Sequence, residues 1–258
     1  MTEIHKTAIV SPKAEIDEEV FIGPYCVIGD NVKIGKSTRL INHVQIEGLT
    51  EIGQNCTIFP FAVIGFPPQD LKYKGEHTGV KIGNNNIIRE YVTIHRASVS
   101  GDGWTVIGND NFIMGYVHIA HDCRIGNSVI MANLATLAGH VQVEDYAFIG
   151  GVVAIHQFTR IGAYAMIGGF SGVGQDVPPF TMASGPRARL YGLNTVGLKR
   201  RGFSDETINI LKKAYKILFR DKLQLKEAIE KVKKELPQIP EVKHLIEFIE
   251  TNKRGICR

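Results

Sequence analysis

Aliphatic residues recur at every sixth position over most of this chain, and this spacing constrains the fold more than any other feature. Twenty-six positions follow it, in three runs of constant phase. A fixed six-residue period of this length is typical of a parallel β-helix, and it matches neither a helical period nor simple alternation. The positions are Ile4, Val10, Ile16, Ile22, Ile28, Ile34, Leu40, Ile46, Ile52, Ile58, Ile64, then Ile82, Ile88, Ile94, then Ile107, Ile113, Ile119, Ile125, Met131, Leu137, Val143, Ile149, Ile155, Ile161, Ile167 and Val173.

Each six-residue unit predicts one short strand and one turn, so that three units close a triangular coil. The aliphatic side chain of each unit points inward and stacks on the equivalent residue of the next coil. Stacked at about 4.8 Å, the coils would form a prism roughly 40 Å long. The sequence therefore predicts an all-β solenoid with a dry aliphatic core.

Two segments interrupt the period, and both are predicted to project from the solenoid as loops. Residues 66–79 replace two units without a change of phase, whereas residues 96–104 shift the phase by one residue. Loops on a rigid scaffold often carry functional residues.

The period ends after Val173, and helical periodicity follows. Ser204 is the predicted N-cap of the first helix, with acidic residues in its first turn. Two further amphipathic stretches lie near residues 225–236 and 242–249. The predicted domains are therefore a hexapeptide-repeat β-helix over residues 1–190 and a small α-helical domain over residues 191–258.

Charge is divided unevenly between these two parts. From Gly192 onward there are sixteen Lys and Arg against nine Asp and Glu, whereas the chain as a whole has a net charge of +4. A basic C-terminal part is consistent with an acidic partner, and equally with a solvated helical face.

Composition favours a soluble protein, with 44% apolar and 22% charged residues. The first residues lack the apolar stretch of a secretory signal, and no apolar run is long enough to cross a bilayer. We therefore expect a cytoplasmic protein without an integral membrane segment. The four cysteines have no zinc or redox spacing, so neither a cofactor nor a metal is predicted from them.

Stacking of the coils brings separate histidine motifs to one outer edge. Such a cluster could be a ladder of surface imidazoles, a zinc site or the surroundings of a general base. No cysteine or glutamate completes a tetrahedral zinc set, although three histidines and a water would suffice. The general base is the favoured interpretation. The predicted cluster comprises His118, His121, Asp122, Gly139, His140, His156 and Gln157.

Several motifs in one order resemble a known family over essentially the whole chain. They are QDLKY in the first loop, then HIAHDC, LAGHV, HQF, SGVGQDVPP and GLKRRGF. Together they resemble the UDP-N-acetylglucosamine O-acyltransferases of lipid A biosynthesis. The resemblance implies a left-handed β-helix, a homotrimer with active sites between adjacent solenoids, and no cofactor or nucleic acid. It also implies transfer of an (R)-3-hydroxyacyl chain from acyl carrier protein to the sugar 3-hydroxyl, the first step of lipid A biosynthesis.

The resemblance assigns catalytic roles to three residues. His121 matches the general base, which suits an imidazole because its ordinary pKa lies near neutrality. Asp122 would orient it, and the N–H of Gly139 would stabilise the oxyanion. No serine or cysteine nucleophile occurs in the motifs, so we expect direct transfer without an acyl-enzyme.

The resemblance also implies substrate contacts. Gly169 matches the residue that measures the acyl chain, and a glycine there favours a long chain. Val196 departs from the family pattern, because some relatives have an acidic residue at that position. The basic residues proposed to dock the carrier protein are Lys212, Lys213, Lys216 and Arg220. The residues matched to contacts with the sugar, the phosphates, the uridine and the pantetheine arm are Gln69, Asp70, Lys72, His118, His140, His156, Gln157, Asn194, Arg200 and Arg201.

Two alternatives stay open at the level of sequence. The same base could serve an amine, giving N-acyl transfer to an amino-sugar nucleotide. A zinc hydratase like the γ-type carbonic anhydrases shares the hexapeptide scaffold and would lose activity with a chelator.

Overall fold

A computed structural model describes residues 1–258 and confirms the parallel β-helix. Three sheets of eleven, nine and eight strands form its sides, and neighbouring strands in each sheet come from successive coils. Most strands have only two residues, because one outward and one inward position complete each side of a coil. The strands are β1 (Glu3–Ile4), β2 (Ile9–Val10), β3 (Glu15–Ile16), β4 (Phe21–Ile22), β5 (Val27–Ile28), β6 (Val32–Ile34), β7 (Arg39–Leu40), β8 (Gln45–Ile46), β9 (Leu49–Ile52), β10 (Thr57–Ile58), β11 (Val63–Phe66), β12 (Gly79–Ile82), β13 (Ile87–Ile88), β14 (Thr93–His95), β15 (Trp104–Ile107), β16 (Phe112–Ile113), β17 (His118–Ile119), β18 (Arg124–Ile125), β19 (Ile130–Met131), β20 (Thr136–Leu137), β21 (Gln142–Val143), β22 (Phe148–Ile149), β23 (Ala154–Ile155), β24 (Arg160–Ile161), β25 (Met166–Ile167), β26 (Gly172–Val173), β27 (Thr181–Ser184) and β28 (Arg189–Leu193).

The strand register places the repeating aliphatic residues directly above one another. Ile113 pairs with Met131, which pairs with Ile149, and Ile149 with Ile167. These stacks form a core of 44 buried residues. Burial of one such side chain stabilises the fold by about 1.5–3 kcal/mol. Ile4, in the first coil, is 48% exposed because no coil covers it from below.

The corners between the sheets contain residues in the left-handed backbone region. They include Tyr25 at φ 58°, Asp122 at φ 61° and Tyr164 at φ 57°. This conformation costs a non-glycine residue roughly 1–2 kcal/mol, so the surrounding structure must enforce it. The corner residues of successive coils lie above one another and form three columns along the prism.

Two longer connections project from the prism without interrupting its stacking. Residues 67–78 join β11 to β12, and residues 96–103 join β14 to β15. On either side the register continues, because Ile52 pairs with Ile82 and Ile82 with Ile107.

The solenoid ends in a hairpin that the sequence did not predict. Strand β27 adds parallel to β25, and β28 then returns antiparallel to β27. The proposed domain boundary at residue 190 falls inside β28. The helices that follow are α1 (Thr195–Arg200), α2 (Asp205–Phe219), α3 (Leu225–Glu235) and α4 (Pro240–Glu250).

Three of these four helices agree with the sequence prediction. The Oγ of Ser204 accepts a hydrogen bond from the Thr207 N–H at 3.1 Å, as expected of the N-cap of α2. Helix α1 was missed, because six residues are too few to show a helical period. The helices bury a second apolar cluster of 17 residues. None of the four helices combines the length and the apolar character needed to cross a membrane.

Candidate active site

The predicted base and its neighbour lie at the corner between β17 and β18. His121 Nδ1 is 2.7 Å from Asp122 Oδ2, and the two side chains are 18% and 3% exposed. The Asp122 N–H donates to Thr105 Oγ1 at 2.9 Å, which holds the corner in place. A carboxylate only accepts hydrogen bonds, so Nδ1 carries the imidazole proton and Nε2 keeps its lone pair. The second nitrogen is thus able to accept a proton.

Asp122 is held as a carboxylate by more than one donor. Its Oδ2 also accepts the N–H of Ser98 at 3.0 Å and the Ser98 hydroxyl at 2.7 Å. Burial raises the pKa of Asp122, but the hydrogen bonds from His121 and Ser98 outweigh burial and leave this pKa below its ordinary value. The ionised carboxylate can therefore orient His121 throughout the neutral range.

Gly139 lies directly over the His121 ring. A Cβ at position 139 would come within 2.5 Å of His121 Cε1 and 2.7 Å of Nε2, so any side chain would displace the ring. The N–H of Gly139 has no acceptor within the chain. A donor without a partner beside the reactive nitrogen is the geometry required of an oxyanion site.

His140 occupies the same corner one coil further along. Its ring stacks on Phe158 at 4.5 Å and meets His121 edge-on at 5.3 Å. Its Nε2 lies 3.2 Å from Ser100 Oγ and 3.6 Å from Asp122 Oδ2. Burial lowers the pKa of His140, against the opposing charge of Asp122. This residue is thus neutral at pH 7 and positioned beside the base.

Two further histidines lie behind the base. His118 Nδ1 is 2.7 Å from Thr93 Oγ1, and its ring meets His95 edge-on at 5.1 Å. Burial lowers the pKa of His118, and it lowers that of His95 to about 4. Both imidazoles are therefore uncharged at neutral pH, and no cation lies behind His121 to oppose its protonation.

The first loop closes a polar groove against this corner. The Lys72 N–H donates to Asp70 Oδ1 at 2.9 Å, which fixes the turn of the loop. The groove has a volume of about 710 Å³ and brings together residues from both loops and from the corners of three successive coils. Its walls include Gln69, Asp70, Lys72, His121, His140 and Gln157.

His156 lies on the far side of the corner, exposed to solvent. Its Nδ1 accepts a hydrogen bond from Arg254 Nη2 at 3.0 Å, so the C-terminal segment contacts this edge of the site. Gln157 follows directly and faces the groove.

Three predicted contacts of the helical part lie away from the groove of their own chain. Asn194 caps α1 by accepting the Gly197 N–H at 3.1 Å, and its Nδ2 donates to Tyr164 O at 2.9 Å. Arg201 lies over the Tyr146 ring at 4.9 Å. The tyrosines belong to a different corner from His121, and none of Asn194, Arg200 and Arg201 lines the groove.

Gly169 is likewise separate from the His121 groove. It precedes Phe170, which is 79% exposed and lies in the same column of corner residues as Tyr25. A Cβ at position 169 would crowd Gly151 O at 3.2 Å and lie 3.9 Å from Gly151 N, whereas the backbone of Gly169 is not left-handed. Glycine is therefore favoured here by the nearby backbone of Gly151, and it also leaves the surface above it open.

A metal could be held only by the residues of the base itself. The ligand atoms of His121, Asp122 and His140 lie within 4.8 Å of one another. However, Asp122 Oδ2 already accepts three hydrogen bonds, from His121 and from both donors of Ser98. An ion at Oδ2 would have to displace them, and Oδ1, which has no hydrogen-bond partner, is covered by the backbone of Gly101. The donor set thus fits a hydrogen-bonded base better than a metal centre.

Sequence reasoning missed three groups that contact the site. Ser98 and Ser100 come from the second loop, where the shift of phase and the serines of ASVSGDG were the only available signals. Arg254 has no sequence signal, because its contact with His156 depends on the fold of the last residues.

Comparisons with known proteins agree along the whole chain. Residues 176–257 match the family model described as UDP-N-acetylglucosamine O-acyltransferase, domain 2, and residues 105–139 match bacterial transferase hexapeptide repeats. A protein of Thermodesulfovibrio yellowstonii named acyl-acyl-carrier-protein–UDP-N-acetylglucosamine O-acyltransferase is 90% identical over 258 residues, covering 100% of both chains.

A protein of the same name from Syntrophobacter fumaroxidans is 50% identical over 257 residues, covering 99% of this chain and 100% of its own length. The structure of LpxA from Acinetobacter baumannii superposes with a TM-score of 0.96 at 48% identity, covering 99% of each chain. The left-handed form of the β-helix follows from this likeness. The chain belongs to the acyl-acyl-carrier-protein–UDP-N-acetylglucosamine O-acyltransferase family.

Proposed function

We propose that this protein transfers an (R)-3-hydroxyacyl chain from acyl carrier protein to the 3-hydroxyl of UDP-N-acetylglucosamine, the first step of lipid A biosynthesis. The observation that carries the proposal is the His121–Asp122 pair at 2.7 Å, in one groove with the loop of Asp70 and Lys72. Full-length relatives named for this reaction support it. We place the reaction in the cytoplasm, where both substrates are water-soluble.

The arrangement of the corner supports a mechanism in which His121 is the base. Nε2 takes the proton of the sugar 3-hydroxyl as its oxygen attacks the thioester carbon. The resulting oxyanion accepts a hydrogen bond from the free N–H of Gly139, which lies beside the His121 ring. Collapse expels the pantetheine thiolate, which takes the proton back from His121. Asp122 stabilises the imidazolium between the two steps.

The thiol and hydroxyl groups near the base favour direct transfer. Cys123 is buried, and burial raises the pKa of its thiol to about 12. The hydroxyl of Ser98 is buried and donates to Asp122. Ser100 is exposed but faces His140 and not the base. Rapid quenching of a single turnover should thus show product without acylated protein.

The remaining predicted contact residues are proposed to bind the nucleotide sugar, although His118 and His156 do not line the groove itself. Gln69, Asp70 and Lys72 approach it from the loop, with Lys72 supplying a positive charge for phosphate. His118 and His140 are neutral, so each imidazole can donate a hydrogen bond to a sugar hydroxyl or accept one from it. His156 and Gln157, at the outer edge, are placed to meet the diphosphate or the pantetheine arm.

Arg200 and Arg201 are proposed to act on the groove of a neighbouring subunit in a homotrimer. Asn194, by contrast, is buried and engaged by Gly197 and Tyr164, so that it would act by holding the start of α1. The two arginines lie at a corner away from their own groove, and both are exposed. A guanidinium binds two phosphate oxygens at once, which suits the diphosphate. In the trimer each site would then draw its base from one chain and its arginines from the next.

The basic face of α2 is the proposed docking site for acyl carrier protein. Lys212, Lys213 and Lys216 are exposed and carry no ion pair. Arg220 is engaged differently, because its Nη2 donates to Leu190 O at 3.0 Å and to Tyr215 Oη at 2.9 Å. We assign docking to the three lysines and a bracing role to Arg220.

The test of the function is an acylation assay on chelator-treated protein with 3-hydroxyacyl carrier proteins of several lengths. His121→Ala should lower kcat by roughly 10²–10⁴-fold, the usual contribution of a general base. His5→Ala, at an exposed position in the first coil, is the matched control and should retain activity. Loss of activity on chelation, or an active His121→Ala variant, would contradict the proposal.

A further inference from the structure

The second loop places a buried serine against the catalytic carboxylate. Residues 96–103 leave the prism after β14, yet Ser98 within this loop is only 4% exposed. Its N–H and its hydroxyl both donate to Asp122 Oδ2, at 3.0 and 2.7 Å. A side chain and a backbone group of one residue thus converge on a single oxygen, which fixes their relative position tightly.

The same loop covers the other oxygen of Asp122. Oδ1 is buried without a hydrogen-bond partner. Gly101 lies against it so closely that a Cβ at position 101 would collide with it. The second loop thus contacts both oxygens of this carboxylate, with the donors of Ser98 at Oδ2 and the backbone of Gly101 against Oδ1, and these contacts limit the movement of Asp122.

A second serine extends these contacts to His140. Ser98 Oγ and Ser100 Oγ are 2.6 Å apart, and Ser100 Oγ is 3.2 Å from His140 Nε2. Because the Ser98 proton is directed at Asp122, Ser98 accepts from the Ser100 hydroxyl. Ser100 must in turn accept from His140 Nε2–H. The protons run in one direction, from His140 through both serines to Asp122.

We propose that Ser98 is a positioning residue for the catalytic pair, and that Ser100 links Ser98 to His140 and thereby fixes the tautomer of His140. His140 then presents Nδ1 as an acceptor, while His121 presents Nε2. The donors of Ser98 also withdraw electron density from Asp122, which weakens its hold on the His121 proton. The inference rests on the proposed function, because it assumes that His121 is the base.

Other charged and titratable groups around this pair are few and fixed. His95 and His118 lie behind it on β14 and β17, and Cys123 follows on the buried side. Asp70 faces His140 across the groove, and Asp102 is paired with Arg124 at the other side of the corner. None of these donates to Asp122, so the serines are the groups whose removal changes its environment.

The experiment is the pH profile of kcat/KM for Ser98→Ala, Ser98→Thr and Ser100→Ala. For Ser98→Ala we expect kcat at pH 7 to fall about tenfold, the effect of one hydrogen bond to a charged group. The acid limb should move to higher pH by roughly half a unit to one unit. Ser98→Thr keeps the hydroxyl and should restore both values. Ser100→Ala should leave the acid limb in place and raise KM for the nucleotide sugar.

A structural role alone would give a different pattern. Ser98→Ala would then lose thermal stability and activity together, with an unmoved acid limb, and this result would overturn the inference. The imidazole ¹⁵N chemical shifts provide a second readout, since Ser100→Ala should mix the His140 tautomers while His121 stays Nδ1-protonated. Unmixed His140 shifts would refute the link. If His121→Ala is itself active, the proposed function fails instead.

Discussion

Two glycines at the edge of the repeat are required for different reasons. At position 139 a side chain would collide with the His121 ring, so glycine is demanded by contact within one chain. At position 169 the backbone is not left-handed, but a Cβ would crowd Gly151 O at 3.2 Å. Beyond this contact, glycine at 169 also leaves a surface free for something outside this chain, and an acyl chain fits the proposed reaction.

Gly169→Met should shift the donor preference towards shorter 3-hydroxyacyl chains. The added side chain would occupy the path of the terminal methylenes, and a misfit of this size changes kcat/KM by about tenfold or more. Competition between carrier proteins of different acyl length measures the ratio directly. Gly192→Met is the control, because a Cβ there has no atom within 4 Å. An unchanged ratio in Gly169→Met would rule out the measuring role.

At the residue scale, the sequence predicted the positions of those site residues that lie within the six-residue repeat. His121, Gly139 and Gln157 could be stacked by counting, because their coils have the regular length. Ser98 could not, since it lies in a loop whose path the repeat does not specify. Arg254 was also beyond reach, because it returns to His156 only after the helical domain has folded.

At the scale of elements, the carboxylate of Glu144 is one of the groups that join α4 to the solenoid. Glu144 Oε2 accepts the Ala163 N–H at 2.8 Å within the coils and His244 Nε2 at 2.7 Å from the helix. Arg160 Nη2 lies 3.8 Å from its other oxygen. The hydrogen bond with Glu144 raises the pKa of His244, against the effect of burial. The contact is thus strongest while His244 is protonated.

The attachment of α4 should consequently weaken as the pH rises. Because the pKa of His244 is higher in the folded than in the unfolded state, its contact with Glu144 contributes its full stabilisation below pH ~6.5. This contribution is lost as the pH rises through the raised pKa. Protection factors of the α4 amides at pH 6 and pH 8.5 report it. His244→Gln should remove the difference, whereas Lys243→Gln, exposed on the same helix, should preserve it. Equal pH dependence in all three proteins would exclude the pair as the cause.

Elements with a clear period were predictable, and those without one were not. The amphipathic stripes of α2, α3 and α4 gave their positions to within a few residues. The β27–β28 hairpin had no such signal, since its strands follow neither the six-residue repeat nor regular alternation. The hairpin nevertheless matters, because β28 leads directly into Asn194 and so sets the position of Arg200 and Arg201 at the end of α1.

At the scale of the whole molecule, the three corners differ in what they expose. One contains the proposed base His121, a second contains Tyr146 and Tyr164, and the third is an exposed, mostly apolar column that runs the length of the prism. Rings in this third column stack 4.8–5.0 Å apart. Isolated apolar residues are normal on a protein surface, but a continuous strip of them is typical of a subunit interface. Its members are Tyr25, His43, Phe61, Tyr91, Tyr116, Leu134, Val152 and Phe170.

A trimer in which each site is shared makes a quantitative prediction for mixed subunits. His121→Ala alone should be inactive, as should the Arg200→Ala, Arg201→Ala double variant, because each lacks one side of every site. Refolded together in equal amounts, three quarters of the trimers would be mixed. Each mixed trimer would have one site with an intact base and intact neighbouring arginines, giving about a quarter of wild-type activity.

The same mixture distinguishes shared sites from sites within one chain. If the base and the arginines acted in the same subunit, every subunit would carry one defect, and mixing would restore nothing. Combining the finished trimers without refolding is the control, because subunits that do not exchange cannot complement. Sedimentation of the refolded sample should give three times the 28.5 kDa mass of one chain. Recovered activity at that mass would locate each catalytic corner against the helical part of its neighbour, whereas no recovery would place the arginines elsewhere in the mechanism.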